Sequence, residues 1–285
     1  MLHRTPDLGS VLVTGGTGKT GRRVASRLRE RHVPVRLGSR SAAPAIDWAQ
    51  PSTRPAALTG ARAAYIAYQP DVAIPGAVDV VADFVGFALH HGVRRLVLVS
   101  GRGEEEAQRA EDVVRSSGAD WTIVRSSWFD QNFSEGAFLE MVATGEVALP
   151  AGDIREPFID VDDIADVVAA TLTDAWHVGM VYEVTEPRLL TFAEAIEEIA
   201  RATGLDIRYR QVTGTAFTAA LVAESVPDEY VWLLDYLFGT VLDGRNEYVE
   251  DGVQRALGRE PRDFRDFARA AAAGGAWSRE QSRVS

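Results

Sequence analysis

The chain contains no cysteine. Disulfides, thiolate nucleophiles and cysteine-held zinc are therefore excluded. Lysine is almost missing too: Lys19 stands alone, and every other basic side chain besides histidine is arginine. No apolar run approaches the roughly 20 residues of a membrane-spanning helix, and the start, MLHRTPDLGS, lacks the apolar core of a leader peptide. Positive charge is in deficit, with a formal net charge of −11, which speaks against a broad nucleic-acid footprint. These absences leave a cytoplasmic protein, monomer or homodimer, whose partner is a small molecule rather than nucleic acid or membrane. A hydrophobic content of 46% over 285 residues is enough for one large core, or for a core plus a smaller lobe.

Short apolar stretches alternate with helical spacing through the first half. Strands are expected over 11–13, 33–37, 63–68, 95–100 and 120–125, and helices after Gly21 and over 77–90 and 104–117. Such alternation predicts an α/β fold, a Rossmann-like doubly wound parallel sheet. The second half is more mixed. Asp160, Asp162 and Asp163 open a helix as acidic first-turn residues, with no histidine nearby to suggest a metal. Thr191 and Glu194 have capping-box spacing. Aromatic helical segments after Thr213 suggest a smaller, mostly helical substrate or lid subdomain. The division is drawn as 1–150 for dinucleotide binding and 151–285 for the C-terminal part, the two interleaved.

Residues 14–21 read TGGTGKTG. A Walker loop would need glycine five residues before Gly18, where the chain has Val13, so ATP is excluded. Gly15-x-x-Gly18-x-x-Gly21, overlapped by Gly16-x-Gly18-x-x-Gly21, fits a dinucleotide turn instead, preceded by a strand and followed by a helix. The second strand ends at Gly38-Ser39-Arg40, without the carboxylate that accepts from the ribose 2′-hydroxyl of NAD. Arg40 offers a guanidinium suited to a 2′-phosphate. The expected cofactor is NADP(H).

The segments VLVTGGTGKTGRRV, LVLVS (96–100), GADWTIVRSSWFDQNF (118–133), EPFIDVDDIADVVAATL (156–172) and YEVTEPRLLTFAEAIEEIA (182–200) span most of the chain. On them the sequence resembles the NmrA-like branch of the atypical short-chain dehydrogenases. GGTGKTGRRVA with GSRS and Asp47-Trp48 looks most like the ergot-alkaloid reductases and their bacterial relatives. The resemblance implies that Gly15, Thr17, Gly18, Lys19 and Thr20 hold the pyrophosphate and that Ser39 and Arg40 hold the adenosine phosphate. It places Ala67 and Tyr68 beside the cofactor, Ser100 and Gly101 at the nicotinamide ribose, and Ser127, Trp128 and Phe129 at the ring. Trp128, Asn132, Phe133 and Tyr236 are the candidate substrate wall.

The chain departs from the family in two places. The segment written R-P-x-x-F elsewhere in the branch reads Arg125-Ser126-Ser127-Trp128-Phe129 here. The Tyr-x-x-x-Lys pair, whose lysine lowers the pKa of the acid tyrosine, cannot exist when the sole lysine lies in the phosphate turn. Hydride delivery still works where little negative charge needs quenching: an iminium becomes a neutral amine, and a quinone or enone delocalises its oxyanion. The expected activity is an NAD(P)H-dependent oxidoreductase, reducing a small apolar iminium, enone or quinone. Ser100 is the candidate hydrogen-bond donor and Glu104, in the run Glu104-Glu105-Glu106, the candidate carboxylate for a cationic substrate. The alternative is a non-catalytic NADP(H)-binding redox sensor.

Overall fold

A computed structural model describes residues 9–278; the start read above for a leader peptide lies mostly outside them. The strands are β1 (Ser10–Thr14), β2 (Val35–Gly38), β3 (Ala61–Ile66), β4 (Arg95–Gly101), β5 (Asp120–Ser126), β6 (Glu146–Leu149), β7 (Met180–Val184) and β8 (Arg208–Gln211). Six form one sheet in the order β2-β1-β3-β4-β5-β7, and β6 and β8 form a second. β1 runs parallel to β2, with Val11 opposite Val35, and parallel to β3, with Val11 opposite Ala63; β3 runs parallel to β4. Leu12, Ala64, Leu96 and Leu98 pack against Val81, Phe84 and Ala88 of helix Ala77–His90 and against Ala110 and Val114 of helix Glu105–Ser116. Near-continuous apolar strands belong to a sheet covered by helices, and this is the doubly wound α/β fold that the alternation predicts.

The chain forms two compact units, and their limits differ from a division near residue 150. One unit holds the chain up to Arg125, with Ile164–Glu183 and Gly252–Gly258; the other holds Ser126–Asp163, Val184–Asp251 and the chain from Arg259. Most of helix Val161–Thr173 and of β7 therefore belongs with the sheet. The reason is hydrogen bonding: β7 adds to the sheet beside β5, and the Gly179 amide donates to the Trp121 carbonyl at 2.7 Å. A strand joins a sheet through a partner distant in sequence, so linear position does not reveal its unit.

The second unit has an aromatic core. Phe133 and Phe138 lie with centroids 5.3 Å apart, Phe158 and Phe192 5.2 Å, and Phe158 and Phe264 5.5 Å. Its helix Phe192–Thr203 begins with a complete capping box: Thr191 Oγ1 accepts from the Glu194 amide and Glu194 Oε2 from the Thr191 amide. The unit is helical apart from the β6–β8 pair, with helices Gly214–Ala223, Asp228–Tyr236 and Phe264–Ala273 and a π-helical turn at Leu237–Val241.

Candidate active site

The sheet order reverses at β1, which has β2 on one side and β3 on the other. In doubly wound sheets ligands sit outside the carboxyl ends of the strands at such a reversal. The glycine turn leaves β1 there. Thr14 Oγ1 donates to the Tyr65 carbonyl and accepts from the Ala67 amide, both at 2.9 Å, and the Gly16 amide donates to the Gly38 carbonyl at 3.0 Å. The ends of β1, β2 and β3 are thereby tied together. Helix Lys19–Glu30 starts at Gly18 with no side-chain cap, so its first-turn amides face outward for an anion. A methyl group on Gly21 would collide with the Gly15 carbonyl oxygen and come within 2.9 Å of the Gly16 Cα. The helix can approach the turn this closely only with glycine at that position, and the resulting cradle fits a dinucleotide pyrophosphate.

Gly15, Thr17, Gly18, Lys19 and Thr20 all stand in this turn or the first helical residues, with Thr17 exposed and Thr20 buried. Ser39 and Arg40 follow β2. The Ser39 carbonyl accepts from the Ile46 amide at 3.0 Å, closing the loop, while Arg40 is exposed. Ala67 is buried at the end of β3, and the Tyr68 ring meets Trp48 at 5.1 Å.

Ser100 and Gly101 end β4. Ser100 is buried, and its hydroxyl donates to Glu111 Oε1 at 2.8 Å, so the proton it was expected to offer a substrate is committed to this carboxylate. Glu111 also receives Arg125 Nε and Nη2 at 2.8 and 2.6 Å, and Arg125 pairs in turn with Glu183. The hydrogen bond from Arg125 to Glu111 raises the guanidinium pKa further above its ordinary value. Glu104 precedes helix Glu105–Ser116 and is only 7% exposed. Burial first, and then the Asp71 charge and hydrogen bond, push its carboxyl well above the ordinary range. The carboxylate that the sequence suggested thus stands where its charged form is disfavoured.

In the second unit, Trp128 and Phe129 sit on a stretch stitched to its neighbour: the Ile159 amide donates to the Trp128 carbonyl at 2.9 Å, and Phe129 bridges Ile159. Trp128 is half-buried, 4.9 Å from Phe238 and 5.2 Å from Phe192. The Ser127 hydroxyl donates to Glu156 at 3.3 Å. Asn132 is half-buried, as is Tyr236, which stacks on Trp232 with centroids 5.2 Å apart and an 11° tilt. Phe133 departs from the expected substrate wall: it is wholly buried, ringed by Phe138, Phe158, Phe192 and Phe264, and acts as core. Asp160 Oδ1 accepts from the Asp162 amide and from Gln131, capping its helix, and Asp163 pairs with Arg259 and Arg262.

Three groups escaped the sequence reading. Asp71 follows Pro70 in a loop with no periodic signal. Glu111 reads as one more polar helix residue, although it is 1% exposed. Asp130 and Glu186 form a buried carboxyl pair; burial first and then the Glu186 charge push Asp130 well up, and burial pushes Glu186 up to about 8.

Residues 15–175 match the NAD(P)H-binding family and residues 106–268 the NmrA-like family. The chain is 30% identical to an NAD(P)H azoreductase of Xenophilus azovorans over 92% of its own length and 98% of that protein's. It is 29% identical to agroclavine dehydrogenase of Claviceps fusiformis, over 90% and 96%. Its fold superposes on an NADPH-dependent quinone oxidoreductase of Escherichia coli, solved with NADPH, at a TM-score of 0.76 and 20% identity, covering 90% and 98% of the two chains. With a glycine cradle that fits a dinucleotide, the sheet reversal beneath it and these matches over most of its length, the chain belongs to the NmrA-like family of NAD(P)H-binding oxidoreductases.

Proposed function

We propose that the protein is an NADPH-dependent reductase of a small apolar iminium, enone or quinone, acting in the cytoplasm as a monomer or homodimer. The observation that carries the reading is the sole lysine: it lies in the phosphate turn, so no lysine is left to assist an acid tyrosine. Substrates that require a strong proton donor at a simple ketone are disfavoured, and electrophiles that tolerate hydride addition remain. An azoreductase, an agroclavine dehydrogenase and a quinone oxidoreductase among the similar proteins support this reading.

Gly15, Thr17, Gly18, Lys19 and Thr20 would hold the pyrophosphate. Ser39 and the exposed Arg40 would hold a 2′-phosphate, and Ala67, Tyr68, Ser100, Gly101, Ser127, Trp128 and Phe129 would flank the rest of the dinucleotide. When bound, the dinucleotide supplies the hydride. The chain's part is to hold it and to orient the acceptor. Trp128, Asn132 and Tyr236 offer half-buried aromatic and amide surface for an apolar ring.

Arg40→Asp tests the cofactor choice. A charge-assisted hydrogen bond is worth about 1.5–3 kcal/mol, so NADPH affinity should fall about 10- to 100-fold while NADH affinity changes little. Equal losses in titration calorimetry would reject NADP(H) selection by Arg40. NADPH oxidation against a quinone, an enone and a cyclic iminium tests the activity. Tight binding without turnover of any of them would favour the redox-sensor reading.

A further inference from the structure

The two carboxyls Glu104 and Asp71 meet on the cofactor edge of the sheet. Asp71 lies two residues beyond Gln69, whose Nε2 is 3.2 Å from where a Gly18 Cβ would stand in the phosphate turn. Glu104 folds back over the end of β4, so that a methyl on Gly101 would collide with its carboxyl group. Glu104 Oε2 is buried, with no N–H or O–H donor directed at it. Neighbouring guanidiniums serve other acids: Arg102 pairs with Glu183 at 3.4 Å, and Arg109 with Glu106 at 2.5 Å. The Ser100 hydroxyl is turned to Glu111. Asp71 has the better donors, accepting from the Ala73 amide at 2.9 Å. A buried carboxyl facing a carboxylate and no cation keeps a proton, and that proton belongs to Glu104.

We propose that Glu104 is the proton donor of the reduction, reloaded through Asp71, and that the substrate is therefore an acceptor that gains negative charge on oxygen, a quinone or an enone, rather than an iminium. The inference rests on the reductase reading above and selects among its substrate classes. A hydride adds to the electrophilic atom and the acceptor's π electrons move to its oxygen. The Glu104 O–H bond breaks, its proton joins that oxygen, and Glu104 is left as a carboxylate. Asp71, half-buried, takes a proton from water and passes it to Glu104. The net reaction consumes NADPH and one proton and yields NADP+ and a hydroquinone or enol. An iminium has no use for this proton.

The test has two arms, run on the full chain. Infrared difference spectra without dinucleotide at about pH 7, wild type minus Glu104→Gln, should show one excess protonated-carboxyl C=O band in wild type, since the proton held by the Asp130–Glu186 pair is common to both proteins. Steady-state NADPH oxidation should show that Glu104→Gln lowers the ratio of kcat for a quinone to kcat for a cyclic iminium about 10²-fold, the usual worth of a positioned acid, with KM moving less. Asp71→Asn should shift the pH at which quinone kcat declines. A wild-type protein that turns over quinone but shows no excess acid band over Glu104→Gln, or a Glu104→Gln protein that loses quinone and iminium turnover equally, overturns the donor role alone. Wild type that oxidises no NADPH with any acceptor overturns the reductase reading and the donor role together. Thermal melts of both variants separate loss of chemistry from loss of folding, and the Asp71→Asn pH profile decides the matter if Glu104→Gln does not fold.

Discussion

Replacing Asp130 by asparagine should change how stability depends on pH, and the buried pair it forms with Glu186 sets the size of the change. Asp130 is 0% exposed and Glu186 1%. Asp130 Oδ1 and Oδ2 and Glu186 Oε1 meet no donor, while Glu186 Oε2 accepts from the Phe264 amide at 2.8 Å. The charged groups around them are otherwise engaged: Asp160 with Gln131, Asp163 with Arg259 and Arg262, and Asp263 with Arg188. The pair therefore retains a proton that the unfolded chain, whose carboxyls titrate near pH 4, releases. From about pH 4.5 up to the Glu186 value of about 8 the native state binds more protons than the unfolded one. Stability is fully present below that window and falls as pH rises through it, by ~1.4 kcal/mol per pH unit for one retained proton. Asparagine keeps the shape, removes one carboxyl and presents an N–H to Glu186, which then ionises nearer its ordinary value. Urea titrations followed by tryptophan fluorescence, with Trp128 and Trp277 in the same unit as the pair, should give a variant curve flatter by up to ~1.4 kcal/mol per pH unit between about pH 5 and 8. The variant should lie above wild type at the alkaline end. Parallel curves would show that the pair holds no proton.

Gly21→Ala should lower NADPH affinity by 10-fold or more, because the added methyl meets turn backbone rather than a movable side chain. Stability should fall as well, because the gain of about 1 kcal/mol that alanine has over glycine in a helix does not offset a collision with the Gly15 and Gly16 backbone; unchanged binding by calorimetry would remove the glycine turn from the site. Phe133→Ala empties a fully buried position among four phenylalanine rings and should cost about 3–5 kcal/mol in urea denaturation. A cost under about 1 kcal/mol, as for an exposed site, would return Phe133 to the substrate wall.

The features legible in the sequence are those whose cause is local. The glycine turn is defined by spacings within eight residues, and the Thr191–Glu194 capping box by four, so both emerge without knowledge of the fold. The strand cores are apolar on both faces and show as runs such as residues 96–98. What stayed hidden is contact between distant segments: Asp71 with Glu104, Asp130 with Glu186, and the pairing of β6 with β8. The run Glu104-Glu105-Glu106 shows how one signal holds two meanings. Glu105 and Glu106 are first-turn acids that pair with Arg109, as a helix start predicts. Glu104 stands one residue before the helix with extended backbone, φ −103° and ψ 113°, which turns its side chain back over Gly101 and out of water. Any side chain at position 101 would occupy that space. The mark of the buried glutamate is therefore the glycine three residues earlier, and it becomes readable only once the fold shows that the glutamate needs its room.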